Sequence, residues 1–154
     1  GTLPPEFVER VSLIGDWLKR HGEVIYGNGE GPVTEFITHG WQQVKGNILY
    51  LIIRFWDGEP ELRIKGIATP IRRADLLTTG RELSLEQQGN ELVIRGLPAE
   101  RPDPLFPVIR LEFERKPEPD EWGRARTWQE DPEIFARWAE MRGSSVWADG
   151  QPRP

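Results

Sequence analysis

The chain has 154 residues and a formal net charge of −5, from 25 acidic against 20 basic side chains. That length holds one ordinary domain plus an arm, and basic residues scattered among acids do not make the clustered footprint of a nucleic-acid surface. The absence of cysteine removes disulfides, thiol nucleophiles and thiolate metal sites.

With only His21 and His39 present, no metal site and no cofactor is expected. No apolar run approaches the ~20 residues that cross a bilayer. No signal peptide is visible at the start, so an exported protein would carry its leader upstream of Gly1.

Residues 4–21 read as a helix. Phe7, Val11, Ile14, Leu18 and His21 recur at helical spacing, and Val8 and Trp17 widen the stripe. Pro4 and Pro5 suit a first turn, where a missing N–H costs nothing. Gly22 is placed as the left-handed residue that ends the helix. Burying five such side chains is worth at most roughly 7–15 kcal/mol, so the stripe needs a partner surface. The opening of the chain is therefore expected to be the last helix and exit strand of something larger.

Residues 27–32, Gly-Asn-Gly-Glu-Gly-Pro, have linker composition. The period then changes to two. Val33–Thr38 is an expected strand. Asn47–Trp56 is the strongest one, apolar on both faces and therefore central. Glu61–Lys65 follows, then a hairpin of 82–87 and 91–95 around Gln88-Gly89-Asn90. From Pro107 to Arg115 the alternation puts Ile109, Leu111 and Phe113 inward and Arg110, Glu112 and Glu114 outward. Short strands with Gly and Pro turns predict a mainly β fold, an antiparallel β-sandwich preceded by one amphipathic helix. Beyond residue 116 the chain is charged and weakly patterned. There Asp131 caps a second short helix on Ile134, Phe135 and Trp138, within a Trp-rich arm ending at Pro154.

Three segments carry a resemblance. The first is Pro5–Arg10 with Ile14-Gly15-Asp16-Trp17-Leu18-Lys19 and Gly22-Glu23-Val24-Ile25-Tyr26-Gly27. The second is Lys45-Gly46-Asn47-Ile48-Leu49-Tyr50-Leu51, ending at Phe55-Trp56. The third runs from Ala74-Asp75-Leu76-Leu77 through Leu97-Pro98 and Pro102-Asp103 to Val108–Glu112. Their order and spacing resemble the C-terminal third of the α-L-fucosidase family of glycoside hydrolases. His21 stands where that family usually has Asn, Asn28 where Thr is common, and Asp57-Gly58 where Pro-Gly is usual. Residues 116–154 have no counterpart.

The resemblance implies a division at residues 27 and 115. Residues 1–27 would be the terminal helix and exit strand of a (β/α)8-like catalytic barrel, 28–115 a C-terminal β-sandwich, and 116–154 the arm. It also implies a parent that hydrolyses terminal α-L-fucose with retention, through an Asp nucleophile and a Glu acid/base in the barrel. Neither maps onto this chain, so no catalytic residue is assigned and the segment alone is expected to be inert. The implied partners are the catalytic barrel and fucosylated glycans, with self-association left open and neither nucleic acid nor membrane expected. A bacterial parent would fit a periplasmic or extracellular setting, and the compartment stays open.

Candidate sugar contacts are Glu23, His39, Trp41 and Trp56. Retention needs two carboxylates ~5–5.5 Å apart, and Asp16 is the nearest candidate to stand with Glu23, but it falls on the helix side expected to face solvent. The structural alternative for Glu23 is bonding backbone N–H groups near the helix end. His39 with Trp41 reads either as a polar-plus-aromatic sugar contact or as a strand-end pair. Asp57 and Asp103 read as turn residues, and His21 as a helix-end cation. Trp122, Trp128 and Trp147 read as packing for the arm before sugar binding. Two other functions remain: a free-standing carbohydrate-binding sandwich, and an interaction domain whose helix stripe pairs with itself.

Overall fold

The computed structural model describes residues 4–32 and 40–121. Helix α1 spans Pro5–His21, with Pro5 as its first helical residue and Lys19, Arg20 and His21 in its last turn, where cations complement the helix dipole. Gly22 is not the left-handed stop. It stays right-handed at φ −57°, because the chain tightens into a 3-10 turn over Gly22–Val24 that buries Val24. The left-handed residue is Gly27 at φ 74°. In place of an exit strand, Ile25 and Tyr26 donate their N–H groups back to the Gly22 carbonyl. The Asn28 side chain then donates to the carbonyls of Glu23 and Val24 and closes the corner.

The described residues form eight strands. They are β1 (Gly29–Glu30), β2 (Gly40–Lys45), β3 (Ile48–Ile53), β4 (Glu61–Lys65), β5 (Ile71–Leu76), β6 (Arg81–Gln88), β7 (Glu91–Arg95) and β8 (Val108–Phe113). All neighbours are antiparallel, in the order β1-β2-β3-β8-β5-β6-β7-β4. The mainly β antiparallel architecture with one leading helix is the one expected. Its two layers are a single curled sheet. Strand β6 makes the bend: Arg81–Leu83 pair with β5, and Ser84–Gln88 pair with β7.

The strands Glu61–Lys65 and 91–95 and the alternation on β8 lie where the pattern puts them. Strands β2 and β5 were not read from the sequence. Each carries few apolar residues, and β5 contains a register shift between Ile71 and Arg73 that breaks its alternation. Both are held by ladders to a neighbour richer in apolar side chains. Part of the expected linker also joins the sheet, since Gly29 pairs with Val44 and Glu30 with Gln43. The expected strand Val33–Thr38, His39, and the arm helix after Asp131 lie outside the described residues.

Strand β3 sits between β2 and β8 and serves two cores, as its double apolar face requires. Leu49, Leu51 and Ile53 face the inside of the curl with Ile109, Leu111 and Phe113 of β8, Ile64 of β4 and Leu92 and Ile94 of β7. Tyr50 and Ile52 face the other way and join Val108, Trp17 and Val24 in a second cluster beneath α1. The β2–β3 turn depends on Gly46 at φ 60°. Asn47 beside it donates its side-chain amide to the Phe113 carbonyl at 3.0 Å and accepts the Phe113 N–H at 2.9 Å, tying the hairpin to the end of β8.

Leu111 has no exposed surface and lies between Leu49 and Ala74 on neighbouring strands. Leu111→Ala is expected to cost about 2–5 kcal/mol of stability, read as a lower urea midpoint. Glu82→Ala on the exposed part of β6 should change it by about 0.5 kcal/mol or less.

Candidate functional site

The structural centre outside the inner core is the joint between α1 and the sheet. Trp17 is buried and donates its indole N–H to the Phe106 carbonyl at 2.8 Å. One turn on, His21 is buried too. Its Nε2 lies 3.4 Å from Asp103 Oδ2 and 3.4 Å from the Thr78 hydroxyl. Asp103 is the hub. Its Oδ1 accepts the N–H groups of Leu105 at 2.8 Å and Phe106 at 3.1 Å, and its Oδ2 takes the Arg20 guanidinium at 3.1 Å. Asp103 is thus the turn residue the sequence suggested, and it is also the ion-pair partner of the helix end, which the sequence did not suggest.

A second polar row runs beneath the corner after α1. Tyr50, Arg110 and Asp75 are register partners across β3, β8 and β5. The Arg110 guanidinium meets Asp75 at 3.0 Å, and the Tyr50 hydroxyl donates to Glu23 Oε2 at 3.1 Å. Burial, then the Glu23 carboxylate, push the Tyr50 phenol up to about 12. Glu23 therefore faces a phenol, and Asp16, the other acid considered with it, pairs with Lys19 on the exposed side of α1.

Trp41 and Trp56 part company. Trp56 is half-buried against the inner core and donates its indole N–H to the Pro98 carbonyl at 3.0 Å. Trp41 is 48% exposed. It meets Phe106 edge-on at 5.4 Å, and Phe106 meets Trp17 the same way at 6.2 Å. Asp57 closes its own turn by accepting the Glu59 N–H at 3.0 Å. His39 and the arm tryptophans Trp122, Trp128 and Trp147 lie outside the described residues.

Only the C-terminal half of α1 is docked. Phe7 is 52% exposed and Val11 50%, with Val8 and Ile14 close to them. Ile14 also lines a mainly apolar groove of ≈ 380 Å³ between α1 and the sheet, shared with Trp17, Ile25, Trp41 and Phe106. The exposed stripe and the groove form one surface. Sequence reasoning missed Phe106 and Arg54. Phe106 sits between Pro104 and Pro107 without periodicity. Arg54 is a lone charge in the apolar run from Ile48 to Trp56, and that was its signal. Among the described residues no group of three His, Cys, Asp or Glu side chains could hold a metal ion, and no helix is long and apolar enough to cross a membrane.

No family model matches the chain. Tissue alpha-L-fucosidase of Bos taurus is 34% identical over 71 residues, covering 46% of this chain and 14% of that protein. Among solved structures, alpha-L-fucosidase isoenzyme 1 from Paenibacillus thiaminolyticus superposes with a TM-score of 0.62 at 26% identity, covering 74% of this chain and 28% of that one. The alpha-L-fucosidase of Vibrio sp. strain EJY3 gives a TM-score of 0.67 at 19% identity, covering 78% and 22%. The chain is similar to part of these α-L-fucosidases. It spans about a quarter of the length of the solved relatives and less of the bovine one.

The segments that carry the fucosidase resemblance meet at the joint. Tyr50 of the second bonds Glu23 of the first, and Asp103 of the third meets Arg20 and His21, which lie between two blocks of the first. Asp75 and Arg110, both in the third, bond each other beneath them.

Asp103→Ala should strand Arg20 and the Leu105 and Phe106 N–H groups, costing about 2–4 kcal/mol. Amide exchange should speed up along Trp17–His21 before it does in β7. For Tyr50, a folded pKa of about 12 lies above the ordinary phenol value near 10. Its contribution to stability is complete below pH ~10 and is lost as pH rises through ~12. A urea midpoint measured across that window should fall in the parent chain, and Tyr50→Phe should flatten the fall.

Proposed function

We propose that this chain is the noncatalytic C-terminal region of an α-L-fucosidase-like glycoside hydrolase, and that it braces the catalytic barrel. The observation that carries the reading is α1 itself. One end is pinned to the sheet through Trp17, His21 and Asp103, while Phe7, Val8, Val11 and Ile14 stay exposed along the rest. A helix fixed in place with an uncovered apolar stripe is built to lie against a neighbour. The similarity to a part of α-L-fucosidases supports a neighbour that holds the reacting carboxylates. Within the described residues Glu23 is engaged by Tyr50 and Asp16 by Lys19, which supports structural rather than paired-acid roles for them.

The intact protein that contains this segment should hydrolyse an aryl α-L-fucoside with retention of configuration, followed by NMR of the released sugar. The purified 154-residue chain should not. Turnover by the chain alone would falsify the proposal. The exposed Trp41 favours a second reading, binding of fucosylated glycans by the free-standing sandwich. Calorimetric titration of the isolated chain with such glycans tests it, and absence of heat at millimolar sugar removes it.

A further inference from the structure

Arg54 is held differently from four other arginines on or beside the sheet. Arg20, Arg63, Arg95 and Arg110 each meet a carboxylate, at 3.1, 2.6, 2.6 and 3.0 Å respectively. Arg54 instead stacks on rings. Its guanidinium carbon lies 5.8 Å from the Trp41 centroid and 4.9 Å from that of Phe55, and no carboxylate among the described residues pairs with it. Stacking uses the flat faces of a guanidinium and leaves its N–H donors for an acceptor. Trp41 then lines the groove beside α1, so a cation with no carboxylate among the described residues stands at the border of the apolar surface.

The opposite side of the sheet gives the contrast. On β4, β6 and β7, Glu61, Arg63, Glu86, Glu91 and Arg95 satisfy one another in a chain of ion pairs. A face whose charges are already paired has little left to offer a partner. The α1 side combines Trp41, Tyr26 and Arg54, the residue types that dominate binding energy at protein interfaces. Its groove has room for a large side chain, and Gln43 is the polar residue lining it, which suits an apolar group better than a sugar. Arg54 over the Trp41 ring also competes for the surface a sugar would stack on.

We propose that this face docks another folded module of the same polypeptide through two anchors: a bulky apolar side chain of that module in the groove beside α1, and a carboxylate of it on Arg54. This rests on the reading given under Proposed function and adds the chemistry of the contact. The relatives supply the size of the occupant, since this chain spans 22% and 28% of the Vibrio and Paenibacillus proteins and most of each is other protein.

The test compares backbone amide exchange in the intact protein with that in the isolated chain. In the intact protein, residues 7–18 and 41–44 should exchange more slowly, and β4 and β7 should exchange alike in both. In the intact protein, Arg54→Glu should speed exchange at 41–44 by about tenfold, and Trp41→Ala should do the same. Arg63→Glu on the far face should leave these residues unchanged. Equal exchange in the two proteins overturns the proposal, as does an Arg54→Glu variant that matches the parent. Protection that appears in the isolated chain only as its concentration rises assigns the face to a second copy and also overturns it. Slow exchange in an intact protein that does not cleave fucosides leaves the docking face standing and removes the fucosidase reading, so the two can fail separately.

Discussion

A buried carboxylate with three donors and the His21 ring around it decides how helix and sheet sit in this protein. Asp103 has almost no solvent contact, and an isolated charge there would be costly. Two backbone N–H groups from its own loop and the Arg20 guanidinium supply what water would have given, and the His21 ring lies 3.4 Å away. The loop between two prolines is thereby given a shape, and that shape carries Phe106 to Trp17. The indole bond to the Phe106 carbonyl then fixes the angle at which α1 leaves the sheet. Removing the carboxylate would loosen loop, helix end and aromatic stack together, because each is oriented by the others.

The same joint has a polar floor. Tyr50, Arg110 and Asp75 stand in register across three strands, and the Tyr50 hydroxyl reaches the corner after α1 through Glu23. Trp17, Val24, Ile52 and Val108 close over one side of this row. The helix is thus continuous with the sheet in packing, whatever module its other face meets. An expected boundary at residue 27 marks a change in sequence pattern, while the contacts run straight across it through Val24, Glu23 and Asn28.

The two sides of the curled sheet have been given opposite surface chemistry. The outer face and free edge at β4 are covered with interlocked ion pairs, which keep an exposed edge from recruiting another strand. The side bearing α1 exposes Phe7, Val11, Trp41 and Phe55. Exposed ion pairs add little stability singly, so their value here lies in solubility and in blunting the edge.

The sequence by itself determined the leading helix, the central place of β3, the β6–β7 hairpin and the inward set on β8. Each rests on local periodicity strong enough to survive any neighbour. It also held the resemblance to α-L-fucosidases, because the residues that form the joint are grouped in three readable segments. Strands β2 and β5 escaped, since their residues are ordered by ladders to β3 and β8 rather than by their own pattern. The structural partner of Asp103 escaped as well, for an ion pair 83 residues apart in sequence leaves no local trace. Which half of the helix stripe is buried was a tertiary decision. Trp17 and His21 found an indole acceptor and a buried acid on the sheet, while Phe7 and Val11, on the same stripe, extend past it into solvent.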